Sequence, residues 1–344
     1  MTKRQEKAIS KKGRQSWVFV DPPHIISGAA VVGPKEGNGK LHDDFDYIYD
    51  SLSWGNNSFE KCEQEMQEKA VRLALAKASV NTVDMDLMFA GDLINQITPS
   101  GFTARALGIP YFGLFTACAT MGEALALSAL SCAGGAARYA LAAACSHTCT
   151  AEKQFRYPNE YGAQKPPYSQ QTATAAGAAV IGEKGGKVQI SAVTVGRVID
   201  EKVCDPFQMG AAMAPAFADT VAAHMQEMKR SPGYYDAIIS GDLGRIGVDI
   251  AAELLRRQNI DMGDTEFLDC GLLLYEGDSS VFAGGSGCGC SAAVGMSHLL
   301  RRIGEGELKR ILLCPTGALL SPVSTQQKES IPTICHAIVL EGVE

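Results

Sequence analysis

The sequence lacks an apolar run long enough to cross a bilayer. The nearest approach, residues 124–146, is broken by Gly134, Gly135 and Arg138 and reads as helix, turn and buried strand. It lacks a charged-then-apolar N-terminal signal, so no leader peptide is expected. It lacks an excess of positive charge: 31 Lys and Arg face 38 Asp and Glu, a net −7, with no basic face to hold nucleic acid. It also lacks zinc spacing, because its 11 cysteines include no Cys-x-x-Cys pair, only Cys288-x-Cys290 and the looser Cys145 and Cys149. Neither a metal nor a cofactor is expected. Without a secretion signal, most cysteines read as small, reduced, buried residues.

What the chain has is repetition. Residues 85–93, "MDLMFAGDL", are answered 150 residues later by "YDAIISGDL" at 235–243. "YALAA" after Arg138 matches "ILLCP" after Arg310, and with the same offset of 172, Cys118 matches Cys290. "TAAGAAVIGE" from Thr174 pairs with "ICHAIVLEGV" from Ile334. Each half reads strand, small-residue turn, helix, glycine turn, strand, long loop, strand. Such alternation predicts mainly parallel sheets covered by helices. The fold class is α/β, a layered α/β/α/β/α body from two pseudo-symmetric halves with mainly parallel mixed sheets. Residues 16–184 form one half and 185–344 the other, parted by the "GEKGGK" turn. Residues 1–15, with six Lys or Arg and one Glu, read as a flexible basic tail, with attraction to anionic lipid as the sharper alternative. Asn57 and Glu60 resemble a capping box ahead of a helix.

This duplication, with Cys118 at the first half's strand-to-helix turn, resembles the thiolase and ketoacyl-synthase fold. Longer phrases narrow the likeness: "WVFVDPPHIISGAAVVGPKEGNG", "AGDLINQ", "AEKQFRYPNEYGAQKP", "TVGRVID", "FAGGSGCGCSA" and "TGALLSPVSTQQKESIP". Together they resemble the stage V sporulation protein AD family. The resemblance implies a protein that binds dipicolinic acid (pyridine-2,6-dicarboxylate), free or as its calcium chelate, for uptake into the developing spore. It implies membrane proteins of the same sporulation uptake system as partners, a place peripheral to the spore inner membrane, and a homodimer.

A cysteine at a helix N-terminus meets free N–H groups that favour thiolate and oxyanion. The condensing enzymes of this fold add a His at the end of the second-half strand and an Asn or His from the next glycine turn. Thiolases use a His near the first position and a second Cys near the C-terminus. Here the first position falls on Gly241 and Asp242, the second in "AGGSGCGCS". His224 and His298 lie in helical stretches, and His336 in a terminal strand suits a pocket or a core equally. Cys118 therefore reads as a vestigial nucleophile that lines a pocket. A thiolase or ketoacyl-synthase-like acyl transferase using Cys118 is the alternative, and a scaffold with a vestigial cavity a third.

A planar dicarboxylate wants cations or N–H groups at each carboxylate and flat walls for its ring. The long loop after residue 146 offers His147, Arg156 and Lys165, with Tyr157, Tyr161 and Tyr168, and Arg156 is the favoured cation. A dimer-interface role for this loop is the alternative. Asp92 and Asn95 follow a strand's carboxyl end, where α/β proteins bind ligands, although its twin Asp242 makes a helix or turn cap the better reading of Asp92. Gly285 and Ser286 sit in a glycine turn with N–H groups to offer. His336, Arg197 and Lys328 complete the candidates.

Overall fold

The computed structural model describes residues 8–156 and 165–343. The first half supplies β1 (His24–Val32), β2 (Leu87–Gly91), β3 (Tyr111–Leu114), β4 (Tyr139–Ser146) and β5 (Ala175–Gly182). The second supplies β6 (Val188–Val195), β7 (Ala237–Ser240), β8 (Glu266–Asp269), β9 (Arg310–Cys314) and β10 (Thr333–Gly342). Their spatial orders are β1-β5-β4-β2-β3 and β6-β10-β9-β7-β8, so each strand has its counterpart five numbers on. The repeats read from the sequence fall on these counterparts: β2 with β7, β4 with β9, β5 with β10. In each half one strand, β5 or β10, runs against the other four. A short antiparallel contact, Val188 opposite Ile25 and Gln189 opposite His24, joins the two sheets at β6 and β1.

The helices are α1 (Phe59–Ala78), α2 (Thr98–Leu107), α3 (Thr120–Ala133), α4 (Thr148–Phe155), α5 (Met209–Met228), α6 (Gly244–Arg257) and α7 (Cys288–Val294). A π-helical turn, Gly295–Leu299, carries α7 onward to Gly304. Helices α3 and α7 lie between the sheets, α3 touching β4 and β10, α7 touching β4 and β5. Helices α1 and α2 cover the outer face of the first sheet; α5, with α6 packed on it, covers the second. Three apolar cores fill the spaces between these five layers.

Small residues make the central spacing possible. β4 reads "YALAAACS" and β5 "AAGAAVIG", both buried almost throughout, as strands covered on both faces require. At Gly177 a Cβ would lie 2.1 Å from the Ala292 carbonyl oxygen, so α7 lies against β5 only because that side chain is absent.

Three local readings need correction. The α1 cap is Ser58, whose hydroxyl accepts from the Lys61 N–H at 3.3 Å, one residue after the expected Asn57. The basic segment is partly ordered: Ile9–Lys12 pairs antiparallel with Ser16–Phe19, while residues 1–7 lie outside the described residues. Finally, Ser16–Val18 pairs with β6, so residues expected in the first half extend the second half's strand instead. Glu227 of α5 fixes that hairpin by accepting from the Arg14, Gln15 and Ser16 N–H groups.

Candidate functional site: the Cys118 elbow and the Gln170 cavity

Between β3 and α3 the chain turns sharply. Ala117 takes a left-handed conformation, φ +50°, which costs a non-glycine residue roughly 1 kcal/mol or more. Two contacts hold the turn: Thr120 Oγ1 donates to the Ala117 carbonyl at 2.7 Å and accepts from the Thr116 N–H at 3.3 Å. From the second half, Gly317 comes so close that a Cβ there would lie 2.0 Å from the Thr116 carbonyl oxygen. The result is an elbow that presents Cys118, 5% exposed, at the head of α3.

Facing it is the end of β7. Asp242 is fully buried, and its Oδ2 accepts from the Gly287 N–H at 2.8 Å and the Ser286 hydroxyl at 3.3 Å. Its Oδ1 is buried without a hydrogen-bond partner. Burial pushes the Asp242 carboxyl up to about 7; nearby Asp269 adds to the shift, while Cys118, Gly287 and Ser286 oppose it. Burial likewise pushes the Cys118 thiol well above its ordinary range, the neighbouring Asp242 carboxylate pushes further, and the Gly287 N–H opposes weakly. The helix N-terminus, expected to favour thiolate, is outweighed by burial and a like charge.

All six histidines have other engagements. His24 and His42 bond the Gly186 and Gly37 carbonyls, His224 bridges Thr194 and Tyr235, and His298 meets Asp44. His147, expected as a pocket cation, caps α4: Nδ1 accepts from the Cys149 N–H at 3.1 Å and Nε2 donates to the Leu52 carbonyl at 2.9 Å. Packed between Trp54 and Phe59, it is pushed by burial toward the neutral form. His336 accepts from the Gly196 N–H at 3.3 Å; burial pushes it down to about 4 and leaves its Nε2 unpartnered.

Beside Asp242 lies a cavity of about 170 Å³ lined by Tyr168, Gln170, Gln208, Leu243, Ile246 and Ala283, at the heads of α5 and α6. Gln170 links cavity and elbow. Its Nε2 donates to the Asp242 and Gly285 carbonyls, both at 2.7 Å, while its Oε1 stays buried and unpartnered. Arg156 stands behind Gln170, with Nη2 donating to the Gln170 carbonyl at 3.1 Å and the guanidinium over the Phe207 ring. Arg156 and Lys165 both pair with Glu152, at 2.5 and 2.9 Å, so two of the expected cations share one carboxylate. Tyr168 donates to Asp205 at 3.2 Å; Tyr157 and Tyr161 lie outside the described residues.

The structure thus brings Cys118, Gly285 and Ser286 together around Asp242, and sets Arg156 and Lys165 behind Gln170. Other candidates have local tasks. Asp92 closes its own turn, accepting from the Ile94 N–H (2.8 Å), the Ser100 N–H (2.9 Å) and the Ser100 hydroxyl (2.7 Å). Asn95 is exposed and donates its backbone N–H to Gln154. Arg197 pairs with Asp219 at the surface, and Lys328 is exposed. The glycine turn is less open than expected, because the Gly287 N–H is committed to Asp242 and that of Gly289 to Ser146. Asp242 and Gln170 were not candidates. Asp242 carried a signal, as the residue standing where a His was expected; Gln170 carried none.

Solved structures share this architecture at low identity. A 3-oxoacyl-[acyl-carrier-protein] synthase III from Aquifex aeolicus superposes with TM-score 0.57 at 15% identity, covering 93% of this chain and 99% of its own. The tetronic acid condensing enzyme AbyA1 gives 0.60 at 18%, covering 93% and 100%, and OleA from Xanthomonas campestris 0.59 at 13%, covering 96% and 100%. These establish the thiolase-like fold. Stage V sporulation protein AD of Bacillus subtilis is 46% identical over 329 residues, 96% of this chain and 97% of that protein. The family model of stage V sporulation protein AD matches residues 13–341. With that span and that identity, the chain belongs to the stage V sporulation protein AD family.

Proposed function

We propose that this protein binds dipicolinic acid without transforming it, and serves its uptake into the developing spore beside membrane proteins of the same system. The observation that carries the non-catalytic reading is the pairing of Cys118 with Asp242. A nucleophilic thiol needs a base to take its proton and a partner to favour thiolate. Asp242 does the opposite, raising the thiol further while itself being held toward the protonated form. What such a site retains is shape and hydrogen-bonding capacity, which suit a small ligand with two carboxylates.

Supporting features are consistent with the rest of the proposal. Among the described residues no helix is long and apolar enough to cross a membrane, which accords with peripheral attachment. The outer edge of β3 is unpaired among the described residues and carries Phe112, 56% exposed, with Phe115 at 47% close by. An exposed apolar edge strand is a pairing surface, and we assign it to a second copy of the chain.

Calorimetry with dipicolinate, beside mass spectrometry after incubation with an acyl-CoA, separates the readings. Saturable binding with an unmodified Cys118 is expected. Rapid acylation of Cys118 without dipicolinate binding would establish the acyl-transferase reading, and neither signal would leave a scaffold.

A further inference from the structure

The charge of this acidic protein is unevenly placed. Residues 1–15 carry six Lys or Arg and one Glu, a net +5 within a total of −7, which leaves −12 on residues 16–344. The family match begins at residue 13, so five of those six cations precede it.

Three of the six stand on an ordered support. In the hairpin of Ile9–Lys12 and Ser16–Phe19, Ile9 and Trp17 pack against one apolar core and Val18 against another. The Val20 N–H closes its open end by donating to the Ala8 carbonyl at 3.0 Å. At the tip, Glu227 presses so closely that a Cβ on Gly13 would lie 2.4 Å from its carboxyl carbon. That carboxylate accepts from the backbone N–H groups of Arg14, Gln15 and Ser16, and so holds the turn without pairing with the cations. Lys11, Lys12 and Arg14 are exposed, and among the described residues no ion pair includes any of them. Nor does the hairpin's one indole stand free for a base to stack on, because Trp17 is half-buried against the core.

We propose that this hairpin is a docking surface for an anionic lipid bilayer, its cations meeting the phosphate-bearing headgroups. The inference rests on the peripheral reading above and adds that the contact is with the lipid itself. Near an anionic surface each Lys or Arg strengthens binding about fivefold. The remainder of the chain, at −12, is repelled by the same surface, so only an approach with the hairpin foremost is attractive. Four strands separate the β3 edge from β6, on which the hairpin lies, so pairing of two copies at β3 leaves the hairpin uncovered.

Sedimentation of the full chain with phosphatidylcholine vesicles, with or without roughly a third of phosphatidylglycerol, tests this at low and high salt. Expected is binding to the anionic vesicles alone, lost at high salt as the charges are screened. Replacing Lys11, Lys12 and Arg14 together by Gln should weaken it about a hundredfold, with melting temperature and dipicolinate titration unchanged. No binding to anionic vesicles at low salt overturns the proposal, as does equal binding to both vesicle types or an unaltered triple variant. Tighter binding to duplex DNA than to the vesicles at the same salt makes nucleic acid the partner and overturns it too. A chain that titrates with dipicolinate yet ignores the vesicles loses this inference alone, and attachment through membrane proteins stands.

Discussion

Asp242→Asn makes a prediction about the unliganded protein. The substitution keeps the side chain's shape and lets the amide oxygen accept from Gly287 and Ser286, but removes a buried acid. Folding raises the Asp242 carboxyl from 3.8 to about 7. Wild-type stability is therefore intact below the unfolded value, erodes as pH rises, and carries the full penalty above about 7. One unit is worth 1.36 kcal/mol, so ionising Asp242 in place costs roughly 4 kcal/mol at pH 8 and about 2 kcal/mol at pH 5.5. Losing a charge-assisted bond from Gly287 returns on the order of 1 kcal/mol at either pH. The variant's advantage should therefore shrink by about 2 kcal/mol between pH 8 and pH 5.5, roughly 3 °C in melting temperature. The wild-type curve alone is not diagnostic. His224 and His336 are pushed by burial down to about 3 and about 4, so acidification through their ordinary range costs stability and masks Asp242. The variant-minus-wild-type difference cancels them. Melting curves at both pH values, by calorimetry or circular dichroism, give that difference. A gap that stays constant within about 1 °C would refute the reasoning, because it would mean Asp242 does not titrate in this window.

Cys118 should alkylate with iodoacetamide far more slowly at pH 7 than exposed Cys204, read by mass spectrometry on peptides; equal rates would contradict a thiol held protonated. Cys118→Ala should weaken dipicolinate binding by on the order of 1 kcal/mol, whereas Cys118→Phe should abolish it by filling the recess. Arg156→Ala should cost about 1–3 kcal/mol of stability as well as affinity, since it uncovers Glu152 and frees the Gln170 carbonyl; an unchanged melting temperature would show the pair to be idle. Phe112→Asp should turn a dimer into a 36.5 kDa monomer in sedimentation, and a wild-type monomer at micromolar concentration would remove the edge-pairing proposal.

The layered fold was legible because its physics is local and repeated. Buried strands read as short apolar runs, their turns as glycine, and duplication marked which strands correspond. The elbow was legible too, as a cysteine between a strand and a small-residue helix. What the sequence hid was how the polar side chains are spent. His147 and Arg156 are attractive ligands by type, yet one is consumed by a helix cap and the other by Glu152, and neither partner is apparent from spacing alone. Gln170 is an ordinary loop glutamine until the fold sets its amide between the Asp242 and Gly285 carbonyls.

The clearest case is the pair of aspartates that end β2 and β7. Both stand in Gly-Asp-Leu, both are fully buried, and the repeat makes them equivalent. They differ in the path the chain takes beyond them. After Asp92 the chain folds back within eight residues, and Ser100 gives the carboxylate two donors, with a third from Ile94. After Asp242 the chain enters α6 directly, and its donors are distant in sequence: the glycine turn at one oxygen and the Cys118 thiol of the elbow. Burial pushes both carboxyls up, Asp92 to about 6 and Asp242 to about 7, against the hydrogen bonds each accepts. The same tripeptide thus makes a staple of its own turn in one half and, opposite Cys118, a buried acid that joins the elbow to the glycine turn in the other. Duplication supplied the residue, and the path of the chain beyond it decided which partners it meets.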